Sequence, residues 1–332
     1  MGVRRFRSTT RRKMLRRYNP AAALPFSPQS ARAGFRFCMR KYRLLLAVSL
    51  ALLLASCTAT KPVANPKLLV LGHAGSGFYT PISPFNFRPP SSWRGIRRAL
   101  LRGADGVEID LQLSRDSVLV LYHDPRMENG STATGCISQH TAAEITRVRY
   151  RGGFPYDLIQ KERPITFDTL LARLSRRPSF PLIHLDLHED DPCLPAGHQH
   201  DRTPLLIRQI ARSLARYHVA PEKVLLVTQE GPTVRLARAA LSGVRVGLEI
   251  ASDEFAFGLK VARTEKVHTV VLDADRVTPR QSAQAHAAGF TVVVFGGRSP
   301  KDLRRVLATQ PDEIEVDNVK RLLQMQMQGR GQ

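Results

Sequence analysis

Short apolar runs recur along the chain, and most segments between them carry apolar residues at helical spacing. Eight runs of four to eight residues are expected to be strands. They are residues 68–71, 106–113, 180–187, 224–227, 244–250, 269–272, 290–295 and 313–316. Segments such as TPLLIRQIARSLARY, TPRQSAQAHAAG and SPKDLRRVLATQ begin with Ser or Thr followed by Pro, as capped helices do. Strand and helix therefore alternate nearly to the end of the chain.

This alternation predicts an α/β protein, a TIM (β/α)8 barrel, over residues 67–325. A further apolar run at residues 118–122 follows the second strand too closely for a crossover helix, so we expect a small hairpin insertion there. A doubly wound open sheet is the alternative. The first strand is not followed by the Gly-rich phosphate loop that would support that fold.

The N-terminal region has the order of a secretory signal over residues 39–56: a basic stretch, an apolar run of about 12 residues and then LASC. The apolar run is shorter than the roughly 20 residues that a membrane-spanning helix needs. Leu-Ala-Ser-Cys resembles the bacterial lipobox, which implies lipidation of Cys57. We therefore expect an exported lipoprotein, facing the periplasm or in the outer membrane, with residues 57–66 as a lipidated tether. A plain signal peptide is the alternative.

The formal net charge of +22 is concentrated near the N-terminus. Residues 1–56 contain 13 of the 50 Lys and Arg residues and no acidic residue, so the remainder carries a net charge of +9. Residues 1–38 precede a complete signal, and we expect them to be a non-native or disordered basic extension, with translation starting at Met39. A basic arm that binds acidic lipid or nucleic acid is the alternative. Nucleic acid is not an expected partner of the remainder, and no obligate protein partner is evident.

Two cysteines, Cys136 and Cys193, lie beyond the leader. A disulfide persists in an exported chain, but sequence spacing does not establish whether the two Cα atoms come close enough to pair. A disulfide and two free thiols therefore both remain open.

Carboxylates alternate with apolar residues in two of the predicted strands. In GVEIDLQL, Glu108 and Asp110 share one face, and in PLIHLDLH Asp186 stands between two histidines. Buried like charges are costly unless a cation or a shared proton offsets them. Three carboxylates predict a site for one divalent cation, Mg²⁺ or Ca²⁺, because these ions prefer oxygen ligands. Amphipathic strands with one solvated face are the alternative.

Two histidines follow predicted strands. His73 stands in LVLGHAG and His123 in LVLYHDP, each beside residues typical of turns. Near a metal site, such a pair supplies what phosphodiester cleavage needs, one imidazole to take a proton from the nucleophile and one to protonate the leaving alkoxide. A structural role for each histidine is the alternative.

At these residues the chain resembles the glycerophosphodiester phosphodiesterase family and, more distantly, the TIM-barrel phospholipases D of spider venom. The stretches that carry the resemblance are GADGVEIDLQLSRDSVLVLYHD, LGHAG, ERPITFDTLLARL and HLDLH, within residues 67–319. The resemblance implies metal-dependent hydrolysis of a glycerophosphodiester to an alcohol and glycerol 3-phosphate. It also implies roles for particular residues: His73 and His123 as acid and base, Glu108, Asp110 and Asp186 as metal ligands, and Phe295 in the substrate pocket.

The chain departs from the family pattern at two positions. Ala74 occupies the place of a phosphate-binding Arg, and His188 occupies the place of a Lys, so we expect His188 in the substrate-binding region. An enlarged aromatic loop between His73 and Glu108 favours an apolar substrate such as an intact phospholipid, or it packs internally, as Phe295 also could. A non-catalytic ligand-binding lipoprotein with the same fold is a third possibility.

Overall fold

The computed structural model describes residues 68–80 and 85–329, and eight parallel strands close there into a barrel. The first strand pairs with the last, Leu69 with Glu313, and also with the second, Leu71 with Gly106. This closure confirms the predicted TIM barrel and excludes an open sheet. The strands are β1 Leu69–Gly72, β2 Gly106–Leu113, β3 Leu119–Leu121, β4 Leu182–Leu187, β5 Val224–Thr228, β6 Arg245–Ile250, β7 Thr269–Asp273, β8 Thr291–Phe295 and β9 Glu313–Val316.

Helices follow the parallel strands and cover the outside of the barrel. Their starts are fixed by side-chain caps, as at Ser92, which accepts a hydrogen bond from the Gly95 amide, and at Thr278 and Ser299, which form capping boxes. The helices are α1 Trp93–Leu101, α2 Ala142–Arg147, α3 Tyr156–Ile159, α4 Phe167–Leu174, α5 Thr203–Arg216, α6 Gly231–Ala240, α7 Phe255–Thr264, α8 Pro279–Ala287, α9 Pro300–Ala308 and α10 Val319–Gly329.

The predicted hairpin is present, and it opens a larger insertion than the sequence indicated. β3 runs antiparallel to β2, with Leu111 opposite Leu121. Residues between β3 and α4 then form α2, α3 and two 3₁₀ turns before the chain returns to the barrel. The insertion has its own apolar cluster, which includes Tyr122, Ile145 and Tyr150. It therefore packs as a small unit on the edge of β2.

Strand alternation separates the outer core from the barrel interior. On β2, Val107, Ile109 and Leu111 are fully buried in the main hydrophobic cluster that includes the helices, so Glu108 and Asp110 face the interior. A small separate apolar cluster, made by Leu225, Val227, Val271 and Val293, fills part of the interior. The remaining interior positions are free to hold polar groups.

A buried ionic cluster lies between β4 and β9. The imidazole of His184, which is fully buried, hydrogen-bonds through Nδ1 to Glu315 Oε1 at 2.6 Å, and its Nε2 lies 2.9 Å from Glu313 Oε2. Burial lowers the pKa of His184, but the two carboxylates outweigh it and raise that pKa. Arg245 pairs with Glu313 on the other side at 2.5 Å. Each buried charge in this cluster thus has an opposite partner.

Cys136 and Cys193, whose pairing the sequence left open, form a disulfide with a Cα–Cα distance of 6.1 Å. The bond joins the insertion to the loop that follows β4. Since β4 carries Asp186 and His188 follows it, the disulfide ties the insertion to a segment that carries two predicted site residues.

Residues 1–38, 39–56 and 57–66, with Cys57, lie outside the described residues. Within the described part of the chain, no helix combines the length and the apolar character that crossing a membrane requires.

The disulfide closes a loop of 57 residues, and the chain-entropy argument gives it about 4 kcal/mol of stability. We therefore expect Cys136→Ser/Cys193→Ser to lower the free energy of unfolding by up to that amount, because the unfolded chain gains freedom. Urea unfolding with and without a reductant measures the effect. Equal unfolding midpoints in both conditions would show that the bond contributes nothing.

Candidate active site

The carboxyl ends of the barrel strands surround a cavity of about 210 Å³. All seven barrel residues that the sequence singled out line it, although their chemical roles stay predictions. The lining includes His73, Glu108, Asp110, His123, Asp186, His188, Gln229, Glu249, Phe295 and Glu315. A parallel barrel places its active site at this end.

Three predicted metal ligands meet in this cavity. Glu108, Asp110 and Asp186 each offer an oxygen, and these atoms lie within 4.8 Å of one another. Strand register explains the meeting, because Asp110 and Asp186 are direct partners in the β2–β4 pairing. Glu108 and Asp110 are each only 3% exposed, so little water screens the repulsion.

The repulsion appears in the pKa values of the cluster. Burial, together with Asp110, Glu315 and Asp186, raises the pKa of Glu108 well above its usual range. Burial and the neighbouring carboxylates raise the pKa of Asp186 to about 6, against the attraction of His188. Glu108 Oε1 is also buried without a hydrogen-bond partner among the described residues. An unsatisfied oxygen within a three-carboxylate set fits a hard divalent cation.

Of the three carboxylates, Asp110 is the one whose ionised form is stabilised by its neighbours. Although burial opposes ionisation, a hydrogen bond from His188 Nε2 at 3.0 Å and another from Ser91 Oγ at 2.6 Å lower the pKa of Asp110. Ser91 also accepts a hydrogen bond from the Asp110 amide at 3.1 Å. Sequence reasoning missed Ser91, which lies in a loop with no distinctive pattern.

A second possible ligand set overlaps the first. Nitrogens of His123 and His188 lie within 4.8 Å of an Asp110 oxygen and of each other. Burial lowers the pKa of His188, but Asp110 and Asp186 outweigh it and raise that pKa to about 9. A protonated imidazole donates to Asp110 and has no lone pair for a metal, so the carboxylate set fits an ion better.

His73 is oriented by a carboxylate that the sequence analysis did not identify. Its Nδ1 lies 2.8 Å from Asp317 Oδ1, and Arg298 donates to the other oxygen of Asp317 at 2.8 Å. Burial lowers the pKa of His73, but Asp317 outweighs it and raises that pKa to about 9. Asp317 directly follows β9, so the rule that selected His73 at a strand end applies to it as well.

His123 lies at the boundary between the barrel and the insertion. Its ring contacts His188, with centroids 5.1 Å apart, and Phe78, with centroids 4.8 Å apart. Phe78 also contacts the ring of His73 at 5.4 Å. One aromatic side chain from the enlarged loop therefore touches both predicted catalytic imidazoles.

The two departures from the family pattern have structural counterparts. Ala74 is fully buried at φ +42°, and its amide donates to Glu108 Oε2, so this position contributes a backbone hydrogen bond in place of a cation. His188, with its raised pKa, carries a positive charge near neutral pH when the carboxylates beside it are ionised. The cavity therefore still has a positively charged side chain at the position where the family pattern has a Lys.

Two further carboxylates, Glu249 on β6 and Glu315 on β9, line the cavity and were missed from the sequence. Burial and the charge of Asp186 raise the pKa of Glu249 to about 7. The alternating patterns RVGLEI and EIEV resemble those that revealed Glu108 and Asp186, and they could have identified both. The Phe295 ring centroid lies 5.8 Å from that of His73, and Phe295 also packs on the interior apolar cluster. Its position therefore agrees both with a residue that lines the pocket and with a core aromatic.

We expect Asp186→Asn to raise the melting temperature by about 2–5 °C at pH 8 without divalent ions and to leave it unchanged at pH 4. The folded protein binds the Asp186 proton more tightly than the unfolded chain does, so the contribution of this group to stability is lost as pH rises from about 4 to about 6. In excess Mg²⁺ or Ca²⁺ we expect the variant to melt at a lower temperature than the unsubstituted protein, because the variant lacks one metal ligand. Thermal unfolding checks this, with the exposed Asp190→Asn as control. A pH-independent difference would contradict the raised pKa.

Comparison with known proteins identifies the family to which the chain belongs. The sequence model of the glycerophosphoryl diester phosphodiesterase family matches residues 86–323. A glycerophosphodiester phosphodiesterase of Bacillus subtilis is 27% identical over 134 residues, which are 38% of this chain and 43% of that protein. The curated relatives that match are each aligned over less than half of their own length.

Solved structures share the fold across nearly their whole length. An Oleispira antarctica phosphodiesterase, solved in complex with the product sn-glycerol-3-phosphate, superposes with a TM-score of 0.64 at 18% identity, covering 77% of this chain and 95% of that one. A glycerophosphodiester phosphodiesterase from Parabacteroides distasonis superposes with a TM-score of 0.62 at 17% identity, covering 81% and 100%. Because one family profile matches more than half of the chain and most of the barrel, the protein belongs to the glycerophosphoryl diester phosphodiesterase family.

Proposed function

We propose that this protein is a phosphoric diester hydrolase that cleaves glycerophosphodiesters to an alcohol and glycerol 3-phosphate with the help of one divalent cation. The observation that carries the proposal is the meeting of two imidazoles and three carboxylates in one cavity at the carboxyl ends of the strands. The family membership supports the substrate class, as does the product bound to the Oleispira antarctica relative.

In the proposed mechanism, Glu108, Asp110 and Asp186 would hold the cation, which would supply positive charge to neutralise phosphate oxygens as negative charge develops on them. Of the pair His73 and His123, one imidazole removes a proton from the nucleophile and the other gives a proton to the leaving alkoxide. Mg²⁺ and Ca²⁺ both suit the all-oxygen ligand set.

Three neighbours prepare these groups for their roles. Asp317 holds Nδ1 of His73, so that Nε2 is the nitrogen left for the substrate. His188 places a positive charge beside Asp110 and Asp186, where the phosphate approaches. Ala74 leaves this part of the cavity without the Arg side chain that the family pattern has, which makes His188 and the cation the main phosphate contacts.

We further propose that the protein acts as an exported lipoprotein. The support is the signal-like order of residues 39–56 and the LASC sequence that ends in Cys57. Lipidation of Cys57 would place the barrel, residues 67–325, at a membrane surface facing the periplasm or in the outer membrane. Glycerophosphodiesters released from membrane phospholipids would arise close to such an enzyme.

Full-length protein in detergent tests the activity, with glycerophosphocholine and glycerophosphoethanolamine as substrates and Mg²⁺ or Ca²⁺ supplied. We expect release of glycerol 3-phosphate, which EDTA abolishes, and which His73→Asn or His123→Asn lowers by about 10²–10⁴-fold because proton transfer is lost. His198→Asn, at an exposed histidine outside the cavity, is the matched control and keeps full activity.

Folded protein that releases no glycerol 3-phosphate with either ion would overturn the diesterase assignment. Assays on intact phospholipid vesicles would then test a phospholipid as the substrate. If those vesicles were not cleaved either, the non-catalytic ligand-binding protein would be the hypothesis that remains.

We expect Asp317→Asn to lower kcat by about 10–100-fold with little change in KM, because the orientation and charge of His73 depend on that carboxylate. The pKa of His73 then falls, since Asp317 raises it, and the limb of the pH–rate profile that reports this group moves to lower pH. Asp312→Asn, which alters a carboxylate that pairs with His286 outside the cavity, is the control. An unchanged pH profile would refute the positioning role.

A further inference from the structure

A second cavity of about 320 Å³ adjoins the metal cavity, and the two share His123. We call it the aromatic pocket and define it by six of its lining residues: Phe78, Tyr79, Tyr122, His123, Asp124 and Tyr150. Its volume lies within the range of small-molecule pockets. Phe78 touches the rings of both His73 and His123, so the pocket begins next to the groups proposed to cleave the diester.

The walls of the aromatic pocket are held in place by the insertion. Tyr122 and Tyr150 stack in parallel with centroids 5.6 Å apart, and both hydroxyls donate to backbone carbonyls, those of Met127 and Leu121. A Cβ atom at Gly152 would come within 2.8 Å of the Tyr79 ring, so glycine is needed for this ring to pack against the insertion. Tyr122 and Tyr150 are only 1% and 4% exposed, so they form a fixed and largely buried wall, and Phe78 and Tyr79 are the accessible aromatic rings of the pocket.

The charges around the aromatic pocket favour a cation. The Asp124 carboxylate lines it, one-third exposed and 3.6 Å from His123 Nδ1, and the buried Tyr79 hydroxyl has no hydrogen-bond partner among the described residues. Burial first, and then the negative charges of Asp157 and Glu162, raise the pKa of Tyr79. Arg151 also lines the pocket, but its side chain is 68% exposed and lies 3.9 Å from the Asp157 carboxylate, which compensates its charge.

We propose that the aromatic pocket binds the alcohol arm of the diester and selects alcohols that carry an ammonium or quaternary ammonium group. Aromatic faces attract such cations, and Asp124 adds charge complementarity. Polyol arms, in contrast, carry no positive charge and would gain neither of these attractions. This inference rests on the proposed diesterase function, because it assigns one of the two arms of its substrate.

The first measurement is kcat/KM of the full-length protein, in detergent with the activating ion, on four diesters. Glycerophosphocholine and glycerophosphoethanolamine carry cations, whereas glycerophosphoglycerol and glycerophosphoinositol carry neutral polyols. We expect the cationic diesters to be preferred by about tenfold or more, as desolvated contact between a cation and aromatic rings provides. Equal kcat/KM values for the two classes would overturn the proposal.

Substitutions locate the preference in the aromatic pocket. We expect Tyr79→Leu to lower the ratio of kcat/KM for the cationic diesters to kcat/KM for the polyol diesters by about 5–10-fold. Tyr79→Phe, which keeps the ring, retains the preference, and Phe257→Leu on the exposed face of α7 is the matched aromatic control. An equal loss on all four substrates from Tyr79→Leu would indicate a structural effect and overturn the assignment.

Choline binding, measured by calorimetry on the same proteins, separates this proposal from the diesterase function. Choline bound by the unsubstituted protein and lost in Tyr79→Leu would support the pocket even if no diester were cleaved, and only the diesterase function would then fail. Cleavage of diesters without choline binding or discrimination would retain the function and overturn the pocket.

Discussion

The mutual repulsion of carboxylates at the mouth of the barrel is the constraint on which the site depends. Glu108, Asp110 and Asp186 are brought together by strand register, and two more carboxylates line the same cavity. Hydrogen bonds from Ser91, His188 and the Ala74 amide offset part of the repulsion. The raised pKa of Glu108 shows that part of it remains, which is the physical basis for expecting a cation.

The insertion after β3 shapes the rest of the site. It begins at His123, forms the stacked tyrosine wall of the aromatic pocket and is joined by a disulfide to the loop that follows His188. Its apolar cluster is separate from the main core, so the barrel carries the proposed metal ligands, whereas the insertion and the loop after β1 line the neighbouring pocket. Differences in such insertions change substrate selection without disturbing the chemistry of a barrel.

Positive charge is distributed differently here from the family pattern. Ala74 contributes only a backbone amide where the pattern has Arg, while His188 stands between Asp110 and Asp186 and keeps a cation in the cavity. Arg298 serves another purpose, because it pairs with Asp317 behind His73. In the proposed mechanism, the cation and the charge of His188 would therefore take over the phosphate contacts that Arg and Lys make in the family pattern.

The sequence by itself determined the eight strands, the hairpin and the inward face of β2, because strand alternation and helical spacing are local properties of the chain. It also selected His73, His123 and three carboxylates, since each stands within or just after a strand. Only the tertiary structure decided that Asp317 holds His73, that Cys136 pairs with Cys193, and that Tyr79 and Tyr150 share a pocket. These contacts join segments far apart in sequence, and closure of the barrel and packing of the insertion, which no local pattern encodes, set their distances.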